Sequence, residues 1–181
     1  VQQDQCCNVT SAGLIAQDQS NCGSFDPATI TSATNAKGGA GSLEYKWFAS
    51  TSSSTYTEGS SDWSEVSGVT ASSYDPSTIS STTYIVRVAK RTGCTVWLAS
   101  NVITLEVNPA PSVVVNQLVA PNCNGTMATL QGGVSGSVTS YYWELDGVLY
   151  PHPSLDITNA TPGTYTLYAV SGSCTVSARF T

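Results

Sequence analysis

Charge is what this chain has least of. Only 10% of its 181 residues are Asp, Glu, Lys or Arg, against roughly a quarter in an ordinary soluble domain. Six basic residues against twelve acidic ones leave a net charge of −6, which excludes a phosphate-gripping basic surface and so a nucleic-acid partner. The single His, His152, sits between Pro151 and Pro153, an exposed-turn setting that supplies neither a base for a nucleophile nor a metal ligand. Cys-x-x-Cys pairs are missing, and so is zinc spacing. Asp26, Asp62, Glu65 and Asp75 are scattered loop acids, with no DxDxDG-like run to hold calcium. No apolar run approaches the roughly 18 residues that would span a bilayer. An enzyme is not expected, nor any cofactor or metal.

What the chain does have is Ser, Thr, Asn and Gly for polarity, nine Tyr and four Trp for bulk, and 40% apolar residues. Hydroxyl-bearing and β-branched residues suit pleated surfaces and tight turns. Period-2 alternation runs through "TYTLYAVSG", where Tyr165, Leu167 and Ala169 share one face, and through "TYIVRVAK", where Tyr84, Val86 and Val88 share a face with Arg87 opposite. Asp146-Gly147 between apolar neighbours is a hairpin signal, because a type I′ turn needs positive φ at both positions. No stretch keeps a helical period over three turns.

The order of landmarks occurs twice. Cys22, the strand "ATITSAT", the turn "KGGAGS", the Trp47 strand, the "TTYIVRVAK" strand and Cys94 past a turn make one copy. Cys123, "TMATLQGGV", the turn "SGS", the Trp143 strand, "GTYTLYAV" and Cys174 past a turn make the other. Between them "NPAPSVVV" breaks any ladder with Pro109 and Pro111. The pattern predicts an all-β protein of two tandem Ig-like β-sandwiches. Its parts are a tail over 1–11, a first domain over 12–108, a Pro linker over 109–111 and a second domain over 112–181. Repetition of the cysteine positions predicts staples Cys22–Cys94 and Cys123–Cys174, each restricting the unfolded chain by about 4 kcal/mol. Trp47 and Trp143 are expected in the cores. Trp63, on a hairpin arm that only the first copy has, and Tyr56 are candidate binding aromatics for a glycan, with packing on their own hairpin as the default.

The residues Tyr45 and Trp47; Trp63, Val66 and Gly68; Tyr74 and Pro76; Thr82, Thr83 and Tyr84; Cys94; and Ser100, Asn101, Ile103 and Thr104 together resemble the Ig-like and PKD-like repeats of Bacteroidota surface proteins. The resemblance covers roughly residues 28–107, and the second half is more loosely similar to repeats of gliding adhesins and other type IX-secreted proteins. It implies extracellular modules that act as spacers, adhesins or surface polymers. Those proteins usually carry many repeats where this chain has two, so the expectation is a fragment or a subunit that gains length by assembling. The chain reads as a secreted or surface form with its signal peptide removed, and six Cys suit an oxidising compartment.

Cys6 and Cys7 remain. A vicinal disulfide, a bond to one of the other four cysteines, and a free thiol or metal pair are all open. The expectation is contact with another copy, the tail adding to an open sheet edge in a head-to-tail homopolymer. The alternative to this filament or spacer subunit is an adhesin or glycan-binding module, or an accessory domain of a larger secreted protein. The N-x-Thr triplets at Asn8, Asn124 and Asn159 recur readily by chance in such a composition.

Overall fold

The computed structural model describes residues 7–122, 124 and 126–181; Cys6 and Cys123 lie outside them. The described chain is all-β and divides into two compact units, one up to Val107 and one from Asn108, each an Ig-like sandwich.

The first unit holds β1 (Leu14–Ile15), β2 (Gln19–Cys22), β3 (Ser32–Thr34), β4 (Leu43–Ser50), β5 (Ser64–Glu65), β6 (Thr83–Arg91) and β7 (Leu98–Asn108). One sheet runs β2-β7-β6-β4-β5. The facing layer is built from the β1–β3 pair and the bridges Phe25–Ile79, Ile30–Tyr74 and Ser11–Lys37. Ile15 and Ile30 from that layer meet Trp47, Ile85, Ile103 and Leu105 from the sheet. Burying side chains of this size stabilises by about 2 kcal/mol each. Trp47 is fully buried and donates its indole N–H to Ala71 O at 2.9 Å.

The central strand β6 departs from the expected two-faced pattern, since Ile85 to Ala89 are all buried. Arg87 pairs directly with Trp47 across the ladder, so it is the Arg87 face, not the Val86 face, that looks into the core. On the other side, the arm carrying Tyr56 and Trp63 lies over Phe48, the cross-strand partner of Val86.

The second unit holds β8 (Ser112–Val119), β9 (Ala128–Ser135), β10 (Ser140–Leu145), β11 (Val148–Tyr150), β12 (Asp156–Ala160), β13 (Tyr165–Ser171) and β14 (Cys174–Phe180). Its sheets are β11-β10-β13-β14 and β12-β9-β8. Trp143, Leu130, Ile157 and Leu167 close the core, and Trp143 donates its indole N–H to Ser154 O at 3.2 Å, much as Trp47 does to Ala71 in the first unit. The expected face of Tyr165, Leu167 and Ala169 is the buried one. Asp146 and Gly147 turn β10 into β11 with φ of 51° and 81°, the positive values a type I′ turn needs. The glycines of "QGGV" are not turn residues: Gly132 and Gly133 lie inside β9. A Cβ on Gly132 would stand 2.6 Å from Leu155 O and 2.8 Å from the Trp143 ring, so the glycine is what lets the Trp lie flat.

Candidate functional site

The tail expected over 1–11 is, from Cys7 onward, a built-in part of the first unit. Thr10 N–H and Ser11 N–H donate to Lys37 O at 2.9 and 3.2 Å, and Lys37 N–H returns a bond to Ser11 O at 3.0 Å. Ala40 N–H holds Cys7 O at 3.0 Å. This approach is possible because Gly39, at φ of 69°, has no Cβ; one placed there would lie 2.2 Å from Cys7 O. Asn8 fixes the other side, donating to Val96 O at 2.7 Å and accepting from Arg91 N–H at 2.9 Å. Its amide is therefore spent on the turn around Cys94, which is the structural reason for an Asn in the first N-x-Thr triplet. The physical cause of docking is a supply of donors and acceptors: a short extended segment with no full strand partner satisfies its backbone through the main chain of Lys37 and Ala40 and through neighbouring side chains.

Two residues of β7 and β6 complete the clasp. Between Val86 and Val88 the ladder slips, and Ser100 and Asn101 face Arg87 across a bulge. The freed Asn101 side chain acts as a strand surrogate, accepting from Ile15 N–H at 2.8 Å and donating to Ile15 O at 3.0 Å. Arg87, buried without a carboxylate partner among the described residues, donates to Ala12 O at 2.9 Å, to Ser72 O at 2.7 Å and to the Ser32 hydroxyl. Its guanidinium carbon lies 4.8 Å from the Tyr45 ring centre and 5.8 Å from that of Trp47. Burial draws its pKa down, yet guanidinium keeps its proton in proteins, and the rings and carbonyl oxygens take the place of a counter-ion.

At the outer end of this clasp Cys7 carries a free, exposed thiol. The expected alternatives that involve Cys6 lie outside the described residues. Cys22, Cys94 and Cys174 are each disulfide-bonded. The candidate site is thus a single thiol at the end of a segment fixed by backbone pairing, Asn8, Arg87 and Asn101. Sequence reasoning singled out the thiol and missed Asn8 and Arg87 as its supports; Asn101 stood in the quoted pattern without a role.

The other candidates fall elsewhere. Trp63 is only 7% exposed, its indole N–H is given to Thr55 O at 2.9 Å, and Tyr56 packs edge-on against it with ring centres 5.3 Å apart. Trp63 is buried under its own hairpin, the default reading of the arm, and Tyr56 is half-buried beside it. Burial, with Glu58 and Glu65 nearby, raises the Tyr56 pKa. Trp97 lies under two ammonium groups, Lys90 at 4.9 Å and Lys46 at 5.6 Å from its ring centre. The loop acids are separately engaged, Asp75 by Thr29 at 2.7 Å, Asp62 by Ser60 at 3.2 Å and Glu65 by Lys46 at 2.8 Å. No group of three or more metal-ligating side chains occurs among the described residues. His152 stacks on Tyr150 with ring centres 5.7 Å apart.

Residues 11–109 match the model of a family described as a domain of unknown function (DUF8696). No curated protein matches the chain. Among solved structures it is similar to the N-terminal four Ig domains of Dscam1 isoform 6.9, with a TM-score of 0.40 and 13% identity over 94% of this chain and 45% of that one. It is also similar to immunoglobulin domains 1–4 of Sidekick-1, with a TM-score of 0.43 and 15% identity over 96% of this chain and 48% of that one. The chain spans less than half the length of either.

Proposed function

Because the chain belongs to the family of the domain of unknown function DUF8696, a description that assigns no activity, we propose a role from the site itself: an extracellular structural protein, a subunit of a surface polymer or an adhesive spacer, joined to its neighbours through the N-terminal segment. The observation that carries this is the free, exposed Cys7 in a protein whose other described cysteines are all disulfide-bonded. The Cys7 thiolate can attack a disulfide of the next chain, forming one S–S bond and releasing one cysteine thiolate, so each chain gives one link and can take one without an added oxidant. Because the chain around Cys7 is pinned to its own domain, a bond made there has a fixed direction. Open edges at β2 and β5 in the first unit, and at β8, β11, β12 and β14 in the second, offer unpaired backbone groups for strand addition. A heterologous interface of that kind propagates instead of closing.

The test is electrophoresis of the oxidised full chain with and without reductant. A ladder of oligomers is expected without reductant, collapsing to one band with it and absent in Cys7→Ser. A monomer band under both conditions would refute covalent assembly through this thiol.

A further inference from the structure

The two units treat the same sheet face in opposite ways. In the first, the solvent side of β4 and β6 is covered by Tyr56 and Trp63 over Phe48 and by Trp97 beside Lys46. The second unit has no such arm, and the corresponding side of β10 and β13, opposite the buried Trp143 and Leu167, is open. Two rows cross it by register: Leu149, Glu144, Thr166 and Arg179, and next to them Tyr142, Tyr168 and Ser177. Tyr142 and Tyr168 stack at 4.7 Å with planes 9° apart, standing as one aromatic block on the sheet. The Tyr168 hydroxyl donates to Glu144 Oε2 at 3.0 Å, which fixes the carboxylate beside the block. Beyond it a groove of about 410 Å³ is lined by Glu144, Asp146, Thr164, Thr166 and Arg179.

We infer that this face of the second unit binds a neutral saccharide, with the Tyr142–Tyr168 block as the stacking wall and Glu144, Asp146 and Arg179 as hydroxyl partners. The chemistry of the groove selects that class. Two carboxylates and one guanidinium leave a net −1 of mixed sign, which repels a polyanion and gives a polycation a cation to avoid, whereas each group bonds strongly to hydroxyls. Arg179 makes no ion pair among the described residues, leaving its planar fork to bridge neighbouring hydroxyls. A sugar ring lays its C–H face on an aromatic surface and returns hydrogen bonds to every polar group it desolvates. A protein partner that used the Tyr142–Tyr168 block would also have to bury the carboxylates, the guanidinium and the hydroxyls around it, which costs more than it returns. Self-association through Cys7 is not needed for this site, so either can fail without the other.

Calorimetric titration of the full chain with chitohexaose, cellohexaose and mannohexaose tests it. At least one is expected to bind, and Tyr142→Ala/Tyr168→Ala is expected to weaken that binding at least tenfold, the scale of removing a stacking ring together with the surface it covers. Tyr168→Phe keeps the stack but frees Glu144 and should weaken it by a few-fold. If the double variant fails to fold, Arg179→Gln and Glu144→Gln carry the test, each expected to weaken binding about tenfold through a charge-assisted bond. Binding to none of the three sugars, or binding that these variants leave unchanged, overturns the assignment.

Discussion

Replacing Asn101 by Ala tests whether a side chain truly stands in for a strand. Ile15 is 2% exposed, and its N–H and C=O both end on the Asn101 amide. Truncation leaves two backbone groups without that partner, each costing about 1–3 kcal/mol if nothing replaces it. The site is half-buried on the Asn101 side, so one group can turn to water, and the expected loss is about 2 kcal/mol. For a unit of this size that is a fall of about 8–16 °C in melting temperature. Asn101→Asp sharpens the test. It keeps the acceptor for Ile15 N–H but sets a carboxylate against Ile15 O, two acceptors facing one another, and should cost as much as Ala or more despite its matching shape. Thermal unfolding by circular dichroism gives the magnitude, and amide exchange gives the location, because the Ile15 N–H should lose protection before the amides of β6 do. A fall of less than about 3 °C in both variants, or unchanged exchange at Ile15, would refute the strand-surrogate role.

Gly132→Ala should destabilise the second unit by about 1–3 kcal/mol, since its Cβ would press on Leu155 O, Leu167 and the Trp143 ring; denaturant unfolding followed by Trp fluorescence measures this, and a neutral result would mean that β9 shifts freely. Phenolate absorbance should show Tyr56, Tyr74 and Tyr168 titrating above the ordinary 10.0, the first two because burial disfavours the anion and Tyr168 because it donates to Glu144. Phenols that hold their protons longer folded than unfolded give stability that is whole below pH 10 and is lost as pH rises past it. Tyr168→Phe and Tyr56→Phe should flatten that alkaline decline.

Strand alternation, the Asp146-Gly147 turn and the paired landmarks around Trp47 and Trp143 are local facts, governed by period, turn chemistry and side-chain bulk, and they were legible in the order of residues. So was the oddity of Cys7. What the order of residues could not decide is which partner each polar group finds. Arg87 alternates like a surface residue, yet a cross-strand Trp, a neighbouring Tyr and three distant acceptors make the core a tolerable place for it. Asn8 and Asn101 look like ordinary turn and strand polar residues until residues more than eighty positions away supply their partners. Trp63, a candidate for a ligand by composition, is buried because the arm folds back on Phe48 with Tyr56 half-buried between them, while Tyr142 and Tyr168 stack on a face that no such arm crosses among the described residues. Periodicity fixes which side of a strand a residue takes; only packing decides whether that side meets water, another sheet or a neighbour.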